Sequence, residues 1–219
     1  MKFLEKVSKN DDIIKRICEN RNVEYDKLEE FLNPSSTNIS NPSIYTNMKK
    51  GAELILEAIH SNKKIGILVD SDADGYCSAS MLVNYLKETF NFNNFLIFMH
   101  EDKSHGLTKP IVDNVLSSGV DLLITPDSSS LDFESHKVLY DNNITVLVID
   151  HHDCSGESEH AIIINSHLDA DKGVNNTLSG GGMVLKMLEL LDYLTNNNNS
   201  ENYYDLASVS LVADWDRKS

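Results

Sequence analysis

The spacing of apolar positions along the chain changes near residue 64. Before that point apolar residues recur at helical spacing, which predicts two short helices within residues 3–32 and another helix over residues 46–61. Between them lies NPSSTNISNPS, at residues 33–43, whose proline, serine and asparagine content is typical of a connector. The pattern therefore predicts a helical N-terminal extension and connector over residues 1–45.

From residue 64 onward, short apolar runs alternate with stretches of helical spacing. The runs predict strands at residues 65–70, 94–99, 121–125, 144–150 and 161–165. Helices are predicted between and after these strands, at residues 77–89, 108–117, 131–140, 178–194 and 203–213. Apolar strands joined by helices are typical of a parallel sheet covered on both faces. We therefore predict an α/β domain over residues 46–219, with a parallel sheet of about five strands, helices on both faces and a helical C-terminal part.

Composition narrows the class of protein. Hydrophobic residues make up 41% of the 219 residues and charged residues 24%, which is the balance of a soluble globular protein. Asp and Glu number 34 against 19 Lys and Arg, giving a net charge of -15. A groove for long nucleic acid normally carries a basic surface, so this charge counts against tight binding of long strands. Carboxylates that hold metal ions would account for part of the excess.

The chain carries no sequence signal for export or membrane insertion. Charges interrupt the N-terminal apolar residues, and no apolar run approaches the ~18 residues of a transmembrane helix. The three cysteines are widely separated and form no CxxC pair, which argues against a disulfide framework or a zinc finger. We expect a cytoplasmic protein with reduced thiols and no membrane partner.

Acidic and imidazole side chains follow three of the predicted strands. They are Asp70, Asp72, Asp74 and Asp127, together with the triplet Asp150, His151 and His152. Because the carboxyl ends of parallel strands meet at one edge of a sheet, these side chains are expected to lie close together. The run DSDADG is predicted to form a tight loop, in which Gly75 permits the turn.

Such a cluster favours a divalent cation. Without one, the like charges would raise one another's pKa values and destabilise the fold. Carboxylates mixed with imidazole suit Mn²⁺ or Mg²⁺ better than structural zinc. Two ions ~3.5 to 4 Å apart would clamp a phosphate and lower the pKa of a bridging water. A single Asp after a strand is commonly a turn or cap residue, but three such strand ends favour a metal site.

The motifs of the chain resemble those of the DHH phosphoesterase superfamily, in its RecJ-like form. The residues that carry the resemblance are ILVDSDADGYCSASMLVNYL, DLLITPDSSS, VLVIDHHDC, LSGGGMVLKML and LASVSLVAD, in that order, with the N-terminal LEEFLNPS. The resemblance implies Asp72, Asp74, Asp127, His151 and Asp214 as metal ligands, with Asp127 bridging two ions and Asp70 as a further acidic ligand. It also implies that His152 faces the scissile phosphate, while Asp150 orients an imidazole.

Further residues near the motifs are candidates for contact with a substrate. Ser78 is expected to cap the helix after the acidic run. Ser179, Gly180 and Gly181 precede a predicted helix, where their amides would bind a phosphate or their size would allow close helix packing. His105 lies in a segment that resembles a loop near the substrate cleft of RecJ proteins, although a simple turn before the helix is the preferred interpretation.

One departure from the family pattern leaves alternatives open. RecJ proteins and most relatives continue past the last motif into a substrate-binding DHHA1 domain, whereas this sequence ends five residues after Asp214. The expected explanations are a minimal enzyme, a catalytic fragment or a non-catalytic module, and a protein partner would supply the missing substrate-binding surface.

The resemblance implies one leading function. It is Mn²⁺-dependent, 5′ to 3′ exonucleolytic hydrolysis of single-stranded DNA by two-metal-activated water, in DNA repair or recombination. The alternatives are hydrolysis of short oligonucleotides or cyclic dinucleotides, and a DHH-fold interaction module without catalysis.

Overall fold

The computed structural model describes residues 12–20, 24, 27–33, 40–172 and 174–218. The chain divides into two compact units, residues 1–40 and residues 41–219. In the first unit the described residues contain α1 (Ile13–Asn20) and α2 (Leu28–Leu32). The rest of the predicted helical extension, including residues 3–11, and residues 34–39 of the connector lie outside the described residues. The boundary at residues 45 and 46 stays a prediction.

The described part of the second unit contains six helices and five strands. The helices are α3 (Met48–His60), α4 (Ala73–Phe90), α5 (Lys109–Ser118), α6 (Phe133–Asp141), α7 (Gly180–Thr195) and α8 (Tyr204–Lys218). The strands are β1 (Ile65–Val69), β2 (Phe95–Met99), β3 (Leu122–Pro126), β4 (Thr145–Asp150) and β5 (Ile162–Asn165). Short 3-10 helices span Pro42–Ile44, Ser166–Lys172 and Ser200–Tyr203. No helix of the described residues is both long enough and apolar enough to cross a membrane.

The five strands form one parallel sheet in the order β2-β1-β3-β4-β5. Neighbouring residues of a strand pack on opposite faces. In β3, Leu122 and Ile124 join the core formed with α3, α4 and α7, while Leu123 joins the core formed with α5 and α6. Both faces of β1 and β3 are covered and every residue of these strands is buried, which explains why they are mostly apolar rather than alternating, whereas Leu96, Ile97 and Met99 of the edge strand β2 are exposed. The predicted α/β fold is confirmed.

Helix α4 begins four residues earlier than predicted, at Ala73 instead of Cys77. Asp72 caps it, since its extended backbone lets Oδ1 accept a hydrogen bond from the Gly75 N–H at 2.9 Å. The prediction of a tight loop through Asp74 was therefore wrong. A Cβ on Gly75 would lie 2.6 Å from Cβ of Asp70, so this glycine allows close packing and does not form a turn.

Candidate metal centre

Adjacent strands of the sheet deliver aspartates to one edge. Asp70 directly follows β1, Asp127 directly follows β3, and Asp150 is the last residue of β4. The chain leaves β1 towards β2 on one side and leaves β3 towards β4 on the other. Ligands of open α/β sheets bind beyond the strand ends at such a switch point. Asp127 therefore lies where a ligand site is expected.

Asp127 is buried without the partners that a buried charge requires. Its φ is 63°, which is uncommon for a residue other than glycine. Its side chain is 1% exposed, and neither carboxylate oxygen accepts a hydrogen bond from the described residues. Nε2 of His151 lies 3.1 Å from Oδ1, but not in hydrogen-bonding geometry. Buried carboxylates normally have hydrogen-bond donors or bind metal ions, so the site is incomplete as protein alone.

The pKa values of Asp127 and His151 fit a metal site. Burial raises the pKa of Asp127 well above its usual value, and the neighbouring charges of Asp74 and Asp150 raise it further. Burial lowers the pKa of His151, and the nearby His152 lowers it further. His151 therefore keeps a lone pair for a cation, while the Asp127 charge is unfavourable until a cation balances it.

Asp74 is held by the N-terminus of α7. The Gly180 N–H donates to Oδ2 at 2.9 Å, and the Gly181 N–H donates to Oδ1 at 2.8 Å. The hydroxyl of Ser210, on α8, donates to Oδ1 at 2.5 Å. Nε2 of His151 lies 3.5 Å from Oδ2. The position of Asp74 therefore depends on three helices, α4, α7 and α8.

The expectation that the amides of Gly180 and Gly181 bind a substrate phosphate was wrong, because Asp74 already accepts hydrogen bonds from both. The alternative interpretation, in which the two glycines allow close packing of the helix, agrees with the structure. A Cβ on Gly180 would lie 2.2 Å from Oδ1 of Asp127, and one on Gly181 would lie 2.3 Å from Oγ of Ser210. Both glycines bring α7 against the acidic residues.

Two serines that were expected to contact a substrate are fully buried instead. Ser78 lies in the second turn of α4 and does not cap it; its hydroxyl donates to Oδ1 of Asp74 at 3.3 Å. Ser179 caps α7 by accepting from the Gly182 N–H at 3.1 Å and shares a hydrogen bond with Ser210. Both serines position Asp74 or α7, and their burial removes them from contact with a substrate.

Asp150 and His152 form a hydrogen-bonded pair. Nδ1 of His152 lies 2.8 Å from Oδ1 of Asp150, which also accepts from the His151 N–H at 2.7 Å. Burial raises the pKa of Asp150, but hydrogen bonds from His152, Ser130 and the His151 N–H outweigh burial and lower this pKa to about 2. The same hydrogen bond, which His152 donates to Asp150, raises the pKa of His152. The His152 side chain is 51% exposed, so it can contact a ligand.

A cavity of about 200 Å³ opens beside Asp127. Its polar lining residues are Asp72, Asp74, Asp127, His151, His152 and Asp214. Asp74, His151 and Asp214 each offer a ligand atom, and these atoms lie within 4.8 Å of one another. Asp127, Asp150, His151 and His152 form a second such group. The structure thus brings together all the predicted metal ligands except Asp70.

Asp70 lies outside that cavity and contacts His105. Oδ2 of Asp70 is 2.6 Å from Nδ1 of His105, and Oδ1 accepts from the Gly106 N–H at 3.2 Å. The ligand atoms of Asp70, Asp72 and His105 also lie within 4.8 Å of one another. The role of Asp70 as a metal ligand stays a prediction, whereas its hydrogen bonds to the loop at residues 105–106 are observed.

Sequence reasoning missed two residues that hold the site together. Ser210 links Asp74 to Ser179. The fully buried Asn165, the last residue of β5, donates to Oγ of Ser130 and to the backbone oxygen of His152. A polar residue at the end of an apolar strand was a usable signal for Asn165, whereas Ser210 had no signal beyond its place in the last motif.

Comparison with known proteins identifies the family. The model of the DHH family, N-terminal domain, matches residues 64–213, which include the acidic cluster except Asp214. The chain belongs to the DHH family.

Relatives of this chain include proteins that are named as exonucleases of the RecJ kind. The SPbeta prophage-derived YorK of Bacillus subtilis (strain 168), whose name gives single-strand DNA-specific exonuclease as an inferred activity, is 35% identical over 94% of this chain and 34% of its own length. The single-stranded-DNA-specific exonuclease RecJ of Haemophilus influenzae is 32% identical over 51% of this chain and 20% of its own length. The chain thus spans about a third or less of these relatives.

A solved structure is similar in fold as well. The crystal structure of exonuclease RecJ bound to manganese superposes with a TM-score of 0.70 at 25% identity, covering 78% of this chain and 43% of that chain. The RecJ-like resemblance predicted from the motifs is confirmed.

Proposed function

We propose that this DHH-family chain hydrolyses phosphodiester bonds of single-stranded DNA as a metal-dependent exonuclease. The observation that carries the proposal is the Asp127 carboxylate, which is buried, without a hydrogen-bond donor among the described residues, and surrounded by Asp74, His151 and Asp214. The names of the RecJ relatives and the manganese in one RecJ structure support the substrate and the cation.

The residues present fit hard divalent cations. Asp74, Asp127, His151 and Asp214 would hold them, with Asp72 at the same cavity. Carboxylate oxygens with one imidazole favour Mn²⁺ or Mg²⁺, and two ions bridged by Asp127 are part of the proposal. When bound, such ions would polarise the phosphodiester and lower the pKa of the attacking water.

The Asp150–His152 pair would orient the substrate. Asp150 accepts a hydrogen bond from Nδ1 of His152, which fixes the ring and leaves Nε2 for the ligand. The raised pKa of His152 favours its protonated form, which donates to a phosphate oxygen. Asp150 thus acts through His152, in agreement with the role that the family resemblance implies.

Short oligonucleotides or cyclic dinucleotides are a second candidate substrate class. Among the described residues that line the cavity beside Asp127 there is no lysine or arginine, and the chain carries a net charge of -15. Long strands gain much of their affinity from basic residues along the backbone, so this charge distribution favours a short ligand.

A substrate panel separates these functions. Wild-type protein is incubated with Mn²⁺, with Mg²⁺ or with EDTA, on single-stranded DNA labelled at the 5′ or the 3′ end, a dinucleotide and a cyclic dinucleotide. We expect cation-dependent release from the 5′ end of the strand. Preferred hydrolysis of the dinucleotide or the cyclic dinucleotide would instead support the second substrate class.

The matched variants are Asp127→Asn and Asp113→Asn. Asp113 lies on α5, where its carboxylate pairs with Lys109 at 2.7 Å, and it is not among the described residues that line the cavity. Asp127→Asn should lose hydrolysis and Asp113→Asn should keep it. If wild type cleaves none of the substrates with any cation, the enzyme proposal is wrong, and the non-catalytic module is favoured.

A further inference from the structure

The two carboxylate oxygens of Asp74 have different surroundings. Oδ1 lies within hydrogen-bonding distance of three donors, which are the Gly181 N–H at 2.8 Å, the Ser210 hydroxyl at 2.5 Å and the Ser78 hydroxyl at 3.3 Å. Among the described residues, Oδ2 accepts from one donor, the Gly180 N–H at 2.9 Å. Because each carboxylate oxygen carries about two lone pairs, those of Oδ1 are used and Oδ2 keeps one for another ligand.

Oδ2 is also the oxygen of Asp74 that lies beside another candidate metal ligand. Nε2 of His151 is 3.5 Å from it. Asp74, His151 and Asp214 line the metal cavity, and each offers a ligand atom within 4.8 Å of the others. The oxygen with an unused lone pair is therefore the one placed at the candidate metal centre.

The hydroxyl of Ser210 has a single hydrogen, and its neighbours determine where that hydrogen lies. Oγ of Ser210 is 2.5 Å from Oδ1 of Asp74 and 2.6 Å from Oγ of Ser179, and it shares the Gly181 N–H with Oδ1. An ionised carboxylate only accepts hydrogen bonds, so Ser210 donates to Asp74 and Ser179 donates to Ser210. Ser179 in turn accepts from the Gly182 N–H at 3.1 Å. These hydrogen bonds thus run in one direction, from the first turn of α7 to the Asp74 carboxylate.

Ser210 acts on the metal cavity only through Asp74. Its side chain is fully buried, and it is not among the described residues that line the cavity. It lies on α8 four residues before Asp214, which does line the cavity, so both residues are on the same face of this helix. The hydroxyl that holds Asp74 therefore also ties it to the helix that supplies Asp214.

We propose that Ser210 is a positioning residue of the metal centre, whose hydroxyl occupies Oδ1 of Asp74 and leaves Oδ2 as the oxygen with which this carboxylate binds a cation. The proposal rests on the proposed metal-dependent function and adds which atom of Asp74 serves the site and which residue determines it. The Ser78 hydroxyl contributes less, because 3.3 Å is long for a hydrogen bond between two oxygens.

The number of oxygens that Asp74 offers matters most for Mg²⁺. This ion requires nearly ideal octahedral geometry, and a carboxylate that binds through both oxygens subtends too narrow an angle for it. Mn²⁺ is larger and tolerates such distortion better. Ser210→Ala frees a lone pair of Oδ1 and keeps the N–H groups of Gly180 and Gly181, so Asp74 gains the freedom to bind through both oxygens. The substitution should therefore weaken the binding of Mg²⁺ more than that of Mn²⁺.

The test measures cation binding without substrate in wild type, Ser210→Ala and Ser208→Ala. Mn²⁺ is titrated by calorimetry, and the Kd of Mg²⁺ is obtained by competition with Mn²⁺. Ser208 is the matched control because it lies on the same helix, is exposed, and donates its hydroxyl to the backbone oxygen of Tyr204 at 2.6 Å. We expect Ser210→Ala to weaken Mg²⁺ binding roughly tenfold and Mn²⁺ binding less than about threefold, whereas Ser208→Ala binds both ions as wild type does.

A merely structural role of Ser210 predicts a different result. In that case Ser210→Ala would lower the free energy of unfolding and weaken the binding of both cations by the same factor. An equal loss for Mg²⁺ and Mn²⁺, or no loss for either, overturns the proposal. A rise in the ratio of the Mg²⁺ Kd to the Mn²⁺ Kd, seen in Ser210→Ala and not in Ser208→Ala, supports it.

Crystals of wild type grown with Mn²⁺ test the same proposal without a variant. We expect manganese bound to Oδ2 of Asp74, with Oδ1 still accepting from Ser210 and Gly181. Manganese bound to Oδ1, or to both oxygens, overturns the proposal and leaves the metal site standing, and no manganese at Asp74 overturns both. A failure to hydrolyse DNA would count against the proposed function alone, because none of these measurements includes a substrate.

Discussion

At the scale of single residues, Asp127 combines features that folding alone does not favour. Its backbone is left-handed, its carboxylate is 1% exposed, and neither oxygen has a hydrogen-bond donor among the described residues. Residues in such sparsely populated conformations cluster at functional sites. A bound cation would balance the charge, which explains why this arrangement is retained.

Replacing Asp127 by Asn should change stability and metal binding in opposite directions. Because the pKa of Asp127 is raised, the metal-free protein is more stable at low pH and loses this stability as the pH rises through the raised pKa. At neutral pH, Asp127→Asn should therefore stabilise the metal-free protein by about 1 to 2 kcal/mol while weakening Mn²⁺ binding. Urea unfolding in EDTA and calorimetric Mn²⁺ titration measure the two effects.

The control for this pair of measurements is Asp113→Asn, which removes the same charge from an exposed ion pair. It should leave stability within about 0.5 kcal/mol and metal binding unchanged. Destabilisation of metal-free protein by Asp127→Asn at neutral pH would contradict the burial of an unbalanced charge.

Asp150 should show the opposite pH dependence. Its pKa is lowered to about 2, against ~3.9 in an unfolded chain, so its stabilisation is present above the unfolded value and is lost as the pH falls towards 2. Asp150→Asn should remove roughly 2 kcal/mol of stability at pH 6 and flatten the acid dependence between pH 4 and pH 2. Urea unfolding across this range checks it, and equal acid dependence in wild type and variant would refute the assignment.

The sequence predicts the acidic residues of the site better than their supports. Strand-end aspartates are visible because a short apolar run ends directly before them. Ser210 is not visible in this way, because a single hydrogen bond from a small polar residue to Asp74, far away in the chain, leaves no periodic pattern.

At the scale of secondary-structure elements, the site depends on where α4 and α7 begin. Their first turns meet at Asp74, which belongs to α4 and accepts two N–H groups from α7. Close approach requires Gly180, whose added Cβ would lie 2.5 Å from Cβ of Asp127. The geometry of the proposed metal site therefore depends on how closely α7 packs against Asp74 and Asp127.

Gly180→Ala tests this dependence against Gly156→Ala. No atom lies within 4 Å of a Cβ added at Gly156, so that variant should be neutral. Gly180→Ala should displace α7 or Asp127, lower the free energy of unfolding by about 1 to 3 kcal/mol and weaken Mn²⁺ binding. Thermal denaturation and Mn²⁺ titration of both variants provide the readout, and wild-type behaviour of Gly180→Ala would refute the packing argument.

The elements themselves were largely predictable. Strand positions follow from apolar runs, and β1 to β5 lie within one residue of the predicted bounds. The start of α4 was missed because Gly75 is a poor helix former and the acidic run suggests a loop. Tertiary contact between Gly75 and Asp70 overrides that local preference.

At the scale of the whole molecule, we expect a net charge of -15 and a buried acidic cluster to couple folding to cation binding. A cation that binds only the folded state stabilises it by about 2.7 kcal/mol at a concentration of 100 Kd. For a chain of this size we expect saturating Mn²⁺ to raise the Tm by roughly 5 to 10 °C.

The control for the Mn²⁺-induced rise in Tm is Asp127→Asn, in which this rise should largely disappear. Scanning calorimetry with and without Mn²⁺ measures it. An equal shift in wild type and Asp127→Asn would mean that the ion acts on surface carboxylates and not at the proposed site.

The most direct test of the central claim, that Asp127 is the centre of a metal site, is anomalous diffraction from crystals grown with Mn²⁺. We predict anomalous peaks within ~2.4 Å of the Asp127 carboxylate, with Asp74, His151 or Asp214 completing the coordination. Ordered manganese only at exposed carboxylates, with no ion bound to Asp127, would contradict the account.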